Sequence, residues 1–445
     1  MLSAADNALL TRTGPDAPMG ALFRRFWVPA LLSRELPERD GPPVRVTLMG
    51  EKLVAFRDSD GRVCLTDGVC PHRGANLFWG RNEARGLRCI YHGWKFDVGG
   101  ACVDMPNVAD PAMRAALQAE AKLKTYPVRE AGDIVWAYLG PRAPLPELPA
   151  LEWLTVAARQ RFVSKKLQQC NYAQALEGAI DTAHFSFLHA TLATDPEDIK
   201  RDMARADTSA NDDADARLRW IREDGAPRYE VIRRDVGLVL GGARKADGDA
   251  LYWRISQFLL PNHAYAPQTA PGGNYLGQTW VPIDDTSCWI YTYSWNPERP
   301  LSDDEIARYK SGQSIHAEVD ADFVPLRNRD NDYLIDRAVQ KTRSFTGIEG
   351  VSEQDACAQD SQGLIADRTR EHLTPTDLGV VQWRRLMLEL ARALTRGEEP
   401  VAPQHVASYA VRAGSIVAPA SQTLVEVMRA RFGDDEGRVR KVSAA

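Results

Sequence analysis

The sequence predicts an α+β protein in two parts: an all-β N-terminal domain, then a larger domain of mixed strands and helices. Three observations carry this expectation. Residues from about 40 to 140 alternate apolar and polar with period two, between Gly and Asp turn signals. The stretch "GPRAPLPELPALEWL" at 140–154 then places four prolines within ten residues, the composition of a stiff linker. Beyond it, strands and helices follow one another without the strict alternation of a parallel-sheet fold. A chain of 445 residues also exceeds one ordinary core. The expected division is an N-terminal segment at 1–39, a β domain at 40–145, and a domain at 150–445 that closes in helices.

In chain order, "GALFRRFWVPALLSREL" (20–36) is a mixed basic and aromatic lead-in. "PVRVTLMGEKLVAFRDSDGRVCLTDGV" (43–69) alternates as a meander of short strands, with turns at Gly50-Glu51 and at 58–61. "WKFDVGGACVDM" (94–105) reads as a hairpin turning at Gly99-Gly100, and "DIVWAYLG" (133–140) as a strand. After the prolines a helix is expected from about 169 to 189. Strands are expected at 228–245, 251–261 and 287–295. Ser302 and Glu305 form a capping box that opens another helix. "VVQWRRLMLELARAL" (380–394) has the apolar spacing of an amphipathic helix. The tail after about 433 is charged and expected to fray.

The totals narrow the function. A net charge of −5 gives no basis for nucleic-acid binding. No apolar run is long enough for a membrane span, and the N-terminus lacks a basic region followed by an apolar core. The expected location is cytoplasmic, where the seven cysteines stay reduced. Their odd number and uneven spacing also argue against a disulfide framework. Cysteines grouped with histidines then read as metal ligands.

Two groupings stand out. In "CPHRG", Cys70 and His72 are one residue apart; in "CIYHGW", Cys89 and His92 are two apart, with sixteen residues between the pairs. Thiolates and imidazoles ligate zinc or iron, so ligand type alone leaves a structural zinc site open. Zinc fingers, however, usually pair like with like. Here each loop supplies one Cys and one His, a split that suits a [2Fe–2S] pair in which one iron takes two Cys and the other two His. In this the sequence resembles the Rieske iron–sulfur proteins.

The second grouping is "DTAHFSFLH" at 181–189. On a continuous helix Glu177, Asp181 and His184 share a face, whereas His189 lies about 140° from His184. Both histidines reach one metal only if the helix widens locally, as in a π-bulge, or ends between them. Two His and one carboxylate on one face of an iron define the non-haem oxygenase triad.

Taken together, the Rieske motif and D-x2-H-x4-H resemble the α (oxygenase) subunit of Rieske non-haem iron aromatic-ring-hydroxylating oxygenases, nearest the phthalate 4,5-dioxygenase-like branch. "APMGALFRRFWVPALL", "LRCIYHGWKFD", "NYAQALEGAIDTAHFSFLH", "NRDNDYLIDR", "FTGIEGVSEQDACAQDSQG" and "DRTREHL" all look like that branch. The resemblance implies a Rieske domain joined to a helix-grip (START/Bet v1-like) catalytic domain, with Cys70, His72, Cys89 and His92 on the cluster. It implies His184, His189 and Asp355 on a mononuclear Fe(II), with Asp360 the rival carboxylate. Asp330, Asp332 and Asp336 are then structural or surface residues. Asp181 would bridge His92 of one subunit to His184 of the next, and Asn171 matches a family Asn near the iron. Homo-trimers or hexamers are implied, as are O2 and a separate flavin/iron–sulfur reductase fed by NAD(P)H. This chain indeed has no G-x-G-x-x-G or P-loop fingerprint.

The expected reaction is dihydroxylation of a small, carboxylated aromatic, phthalate- or benzoate-like. A carboxylate calls for an arginine fork, and Arg228, Arg244 and Arg254 lie on the expected strands. Cys170 and Cys357 read as small core side chains. The alternatives are a Rieske monooxygenase acting as an aryl-ether O-demethylase and, more distantly, a zinc-stabilised binding or electron-transfer protein.

Overall fold

The computed structural model describes residues 1–141, 143–192, 212–268 and 272–433. The alternation at 43–69 becomes the antiparallel strands Val44–Leu48, Glu51–Arg57 and Val63–Asp67, with Thr125–Tyr126 on the outer edge. The first turn lies at Met49-Gly50. The second is an Asx turn: Asp58, fully buried, accepts from the backbone N–H of Asp60 and Arg62 at 3.0 and 2.8 Å. A second antiparallel sheet follows, of Arg81–Glu83, Gly86–Arg88, Lys95–Phe96 and Cys102–Asp104, the last hairpin turning at Gly99-Gly100.

The N-terminal segment is not a free lead-in. Trp27–Leu32 is a strand that pairs with Ile134–Tyr138. All six of its residues are buried, so it shows no alternation to read. Ahead of it, helices Ala4–Thr11 and Pro18–Phe23 pack on the long helix Leu378–Thr395.

The C-terminal part is one antiparallel sheet. Its order is Arg161–Gln168, Cys288–Trp295, Tyr275–Pro282, His263–Ala266, Ala250–Leu259, Gly237–Lys245 and Arg228–Arg234, and Gly414–Pro419 also pairs with Ala250–Leu259. The run expected as one strand at 228–245 is a hairpin. Helix Tyr172–Ile180 packs on the three strands between 250 and 282, against the same sheet that carries the arginines. The capping box at Ser302 is formed: Ser302 Oγ accepts from Glu305 N at 3.1 Å, and Glu305 Oε2 from Ser302 N at 2.7 Å. Helix Leu378–Thr395 covers the expected 380–394. The charged tail lies outside the described residues.

Two features hold the parts together. Trp136 of the β domain lies 6.1 Å from Trp153, which stacks on Tyr293 of the large sheet at 4.1 Å. Lys165, 4% exposed, donates to both oxygens of Glu35 at 2.6 and 2.8 Å. Behind the site, Glu177 turns away from Asp181 and His184. It accepts from Arg368 at 3.0 and 2.9 Å and from Arg384 at 2.7 Å, tying the helix to 366–371 and to helix Leu378–Thr395. Arg368 is fully buried, and its pairing with Glu177 offsets the cost of burying that charge.

Candidate metal centres and active-site cavity

The Cys70/His72 loop follows Val63–Asp67 of the first sheet, the Cys89/His92 loop joins Gly86–Arg88 to Lys95–Phe96 of the second, and the two close alike. Gly74 N donates to Cys70 O at 2.9 Å, and Gly93 N to Cys89 O at 3.1 Å. Both glycines have left-handed φ, +73° and +75°, and a Cβ on Gly93 would stand 2.7 Å from Pro106 Cγ. The turns bring the Cys70 and Cys89 thiols together in the interior. Burial pushes the Cys70 thiol up to about 11, and neighbouring Cys89 adds to the shift. Such paired thiols ionise only against a cation. The His72 and His92 rings meet edge to face, centroids 4.5 Å apart. His72 stacks on Trp94 at 4.4 Å, whose Nε1 donates to Asn107 Oδ1 at 2.8 Å. His92 Nδ1 is buried without a hydrogen-bond partner, an orphan that ligation satisfies. Two thiols beside two imidazoles fit the donor set of a Rieske cluster.

The second grouping is solved by ending the helix. Helix Tyr172–Ile180 stops before Asp181, and a short 3-10 turn, His184–Ser186, follows. The continuous helix expected over 169–189 is therefore corrected, and no π-bulge is used. Asp181 ends it by competing for backbone donors: Oδ1 accepts from Ala183 N at 2.7 Å. Tyr229 OH accepts from Thr182 N, and Arg244 donates to Thr182 O, which fixes the turn.

With the helix broken, His184 and His189 face each other, Nε2 to Nε2 at 3.2 Å. Helix Val351–Asp360 brings Asp355 Oδ1 to 3.6 Å from His184 Nε2 and 3.3 Å from His189 Nε2. One ligand atom from each residue lies within 4.8 Å of the others. Each Nδ1 is already engaged, that of His184 with Asp181 Oδ2 at 3.1 Å and that of His189 with Gln354 Oε1 at 2.7 Å. If Nδ1 carries the proton in both rings, two imidazole lone pairs and a carboxylate oxygen converge on one point. A cation there removes the mutual repulsion, so the donors fit a mononuclear metal.

A cleft opens beside this triad, with about 520 Å³ of empty space that includes its solvent-open mouth. His184, Asp355 and Asp181 line one side; Phe185, Trp280 and Ile315 are among the apolar walls. Gly277 lines it too, and a Cβ there would strike the Tyr293 and Tyr265 rings at 2.3 and 2.6 Å. Arg254 is its only lining arginine among the described residues. It is 2% exposed, its Nε and Nη1 have no partner, and its guanidinium sits 4.6 Å over the Phe185 ring. Burial and neighbouring Arg254 pull the Arg244 guanidinium down to about 10, a sign of uncompensated positive charge here.

Several expected roles are corrected. Arg228 is exposed, over Trp253 and near Glu230, outside the cavity. Arg244 is buried but spent on Thr182, Ser186 and the Asp224 carbonyl, so it buttresses the Asp181 turn rather than meeting a ligand. Asn171 caps the start of the helix, donates to Thr11 O and Asp285 O at 2.8 and 2.7 Å, and does not line the cavity. Asp360 accepts from Gln168 and Tyr333 at 2.7 and 2.6 Å, away from the histidines. Asp330 and Asp332 are exposed and Asp336 caps a helix, as expected. Cys170 is fully buried in the core. Gln354 escaped the sequence reading, since a glutamine beside a ligand has no spacing signature.

Known proteins resemble the chain in both of its parts. Residues 26–127 match the Rieske [2Fe-2S] domain, and residues 137–425 match the LigXa C-terminal domain like family. The chain is 39% identical to the phthalate 4,5-dioxygenase oxygenase subunit of Pseudomonas putida, over 90% of this chain and 89% of that one. It is 39% identical to the 3-chlorobenzoate-3,4-dioxygenase oxygenase subunit of Comamonas testosteroni, over 88% and 89%. Identity is 32% to the 5,5'-dehydrodivanillate O-demethylase oxygenase subunit of a Sphingobium species, over 90% and 83%. The solved structure of dicamba monooxygenase bound to dicamba shares the fold, with a TM-score of 0.54 at 18% identity over 84% of this chain and 99% of that one.

The chain therefore belongs to the Rieske non-haem iron oxygenases. It is an oxygenase subunit of the ring-hydroxylating kind, an oxidoreductase whose cofactors are a Rieske [2Fe–2S] cluster and a mononuclear iron. A reductase component supplies its electrons. No helix among the described residues is long and apolar enough to cross a membrane.

Proposed function

We propose that this subunit dihydroxylates a small arene carboxylate, phthalate- or benzoate-like, with Cys70, His72, Cys89 and His92 holding the cluster and His184, His189 and Asp355 holding the iron. The observation that carries the reading is the unpartnered Arg254 guanidinium in the same cavity as His184 and Asp355. A buried cation without a counter-ion is costly, and a planar carboxylate matches its fork. The relatives named for phthalate and 3-chlorobenzoate support that class.

In this reading Arg254 anchors the carboxylate while Phe185 and Trp280 pack the ring, so the arene edge is presented toward the triad. An iron held by His184, His189 and Asp355 would supply O2 activation, with electrons from a cluster held by Cys70, His72, Cys89 and His92. Asp181 and Gln354 hold the two imidazoles so that Nε2 faces inward. The apolar walls exclude water from the reacting edge. The domain division is that of the sequence reading, with Trp27–Leu32 joined to the β part. The working form is a cytoplasmic homo-trimer or hexamer served by a flavin/iron–sulfur reductase. Seven cysteines, none in a disulfide, suit a reducing compartment.

Oxygen uptake with a matched reductase tests the reading. Arene carboxylates should drive uptake with near one-to-one formation of a cis-dihydrodiol. Formaldehyde release from methoxyarenes, with no diol from carboxylates, would instead establish the O-demethylase reading that the Sphingobium relative favours. Arg254→Leu should lower kcat/KM for the carboxylate by ~30–150-fold, the worth of about 2–3 kcal/mol for a charge-assisted bond. Arg254→Lys should recover only part of that loss. Unchanged kinetics in Arg254→Leu would remove the anchor.

A further inference from the structure

We infer that Gln354 is a positioning residue for the iron site, setting the tautomer and orientation of His189 through a neutral hydrogen bond. The inference rests on the reading of His184, His189 and Asp355 as iron ligands. Gln354 Nε2 donates to the Ile348 carbonyl at 2.8 Å. A carbonyl only accepts, so the amide cannot be flipped, and Oε1 must be the atom that faces His189. Oε1 lies 2.7 Å from His189 Nδ1 and cannot donate. His189 must therefore carry its proton on Nδ1, which leaves the Nε2 lone pair toward His184 and Asp355.

The backbone supports this relay. Ile348 follows Gly347, whose φ is +72° and whose added Cβ would lie 2.3 Å from Asp336 O. Ile348 itself is buried, 6% exposed. The acceptor that orients Gln354 is thus fixed by its own loop, and Gln354 shares a helix with the ligand Asp355. The two imidazoles are also held unequally: His184 meets the Asp181 carboxylate, His189 a neutral amide. A carboxylate partner raises ligand basicity more than an amide does. His189 is thus the less basic of the two nitrogen donors, oriented by Gln354 without added charge.

The test uses holoenzyme dialysed against graded concentrations of an Fe(II) chelator, with iron measured per chain and the Rieske signal recorded after reduction. Gln354→Leu removes the acceptor; Gln354→Glu keeps one for Nδ1 but cannot donate to Ile348 O. We expect Gln354→Leu to release the non-cluster iron at ~10–100-fold lower chelator concentration, the usual cost of losing an outer partner. Gln354→Glu should hold it at least as tightly as wild type, and both variants should keep the wild-type Rieske signal. Wild-type iron retention in Gln354→Leu would overturn the inference. So would Gln354→Glu losing iron as readily as Gln354→Leu, because a purely structural glutamine is not rescued by an acceptor alone. Wild-type protein holding only cluster iron would instead overturn the reading of the triad.

Discussion

Asp355→Ala is expected to abolish oxygen-consuming turnover, a loss exceeding the ~100-fold typical of losing an outer partner, while the Rieske signal stays intact. Asp355 is the only carboxylate of the triad, with Oδ1 at 3.3 and 3.6 Å from the two Nε2 atoms. Burial opposes its charge, yet His189 and His184 hold its carboxyl below the usual carboxylate range. Without it, two neutral imidazoles remain, and these hold a divalent iron poorly. The cluster loops lie in a separate packing unit around Cys70, Cys89 and Trp94, so their iron should be unaffected. Iron analysis should show loss of the mononuclear iron alone. Asp360→Ala is the control: its carboxylate bonds Gln168 and Tyr333, so that variant should keep the iron. Loss of iron from Asp360→Ala, with retention in Asp355→Ala, would reverse the assignment.

The second large effect is expected at Asp181. Asp181→Asn should keep both metal centres yet lower turnover by ~10–100-fold, as for other outer partners of metal-bound histidines. Asp181 Oδ2 meets His184 Nδ1 at 3.1 Å, and the side chain is 23% exposed, so its outer side remains open. His92 Nδ1 is the buried, orphaned nitrogen, which leaves Nε2 for contact outside its own chain. In the proposed trimer Asp181 would take a hydrogen bond from His92 of a neighbouring subunit, giving a short bonded path between the two centres. Asparagine can still accept from Ala183 N and so preserve the turn, but it lacks the charge. Stopped-flow oxidation of the reduced cluster, with substrate and O2 present, should slow in parallel with turnover. Full activity in Asp181→Asn and in Asp181→Ala would end the bridge role.

Much of this site was legible because its chemistry is compressed into short motifs. C-x-H and C-x2-H reveal themselves by ligand type and spacing, and the structure adds that Gly74 and Gly93 close both loops alike. His184 and His189 were visible as a pair, but their helical spacing spoke against a shared metal. The answer lay in Asp181, whose carboxylate captures Ala183 N and stops the helix, a contest between side chain and backbone that periodicity does not encode. Asp355 came through family resemblance, since it lies far along the chain from His189. Among three candidate arginines only Arg254 reaches the cavity. Register puts Arg228, opposite Ala243, on the other face of the sheet, whereas Arg244 and Arg254, opposite Tyr252 and Gly242, share one face, and Arg244 is set apart by its bonds to Asp224, Thr182 and Ser186. Trp27–Leu32 and Tyr275–Pro282 were missed as strands because they are buried almost throughout, and Gly277 interrupts the second.

The most direct test of the two-centre account is the iron and acid-labile sulfide content of anaerobically purified protein, with an electron paramagnetic resonance spectrum after reduction. The account predicts about three iron and two sulfide per chain and a Rieske-type signal, from one cluster and one mononuclear site. About one zinc per chain and no sulfide, in protein produced with iron available, would contradict it and leave a zinc-stabilised domain.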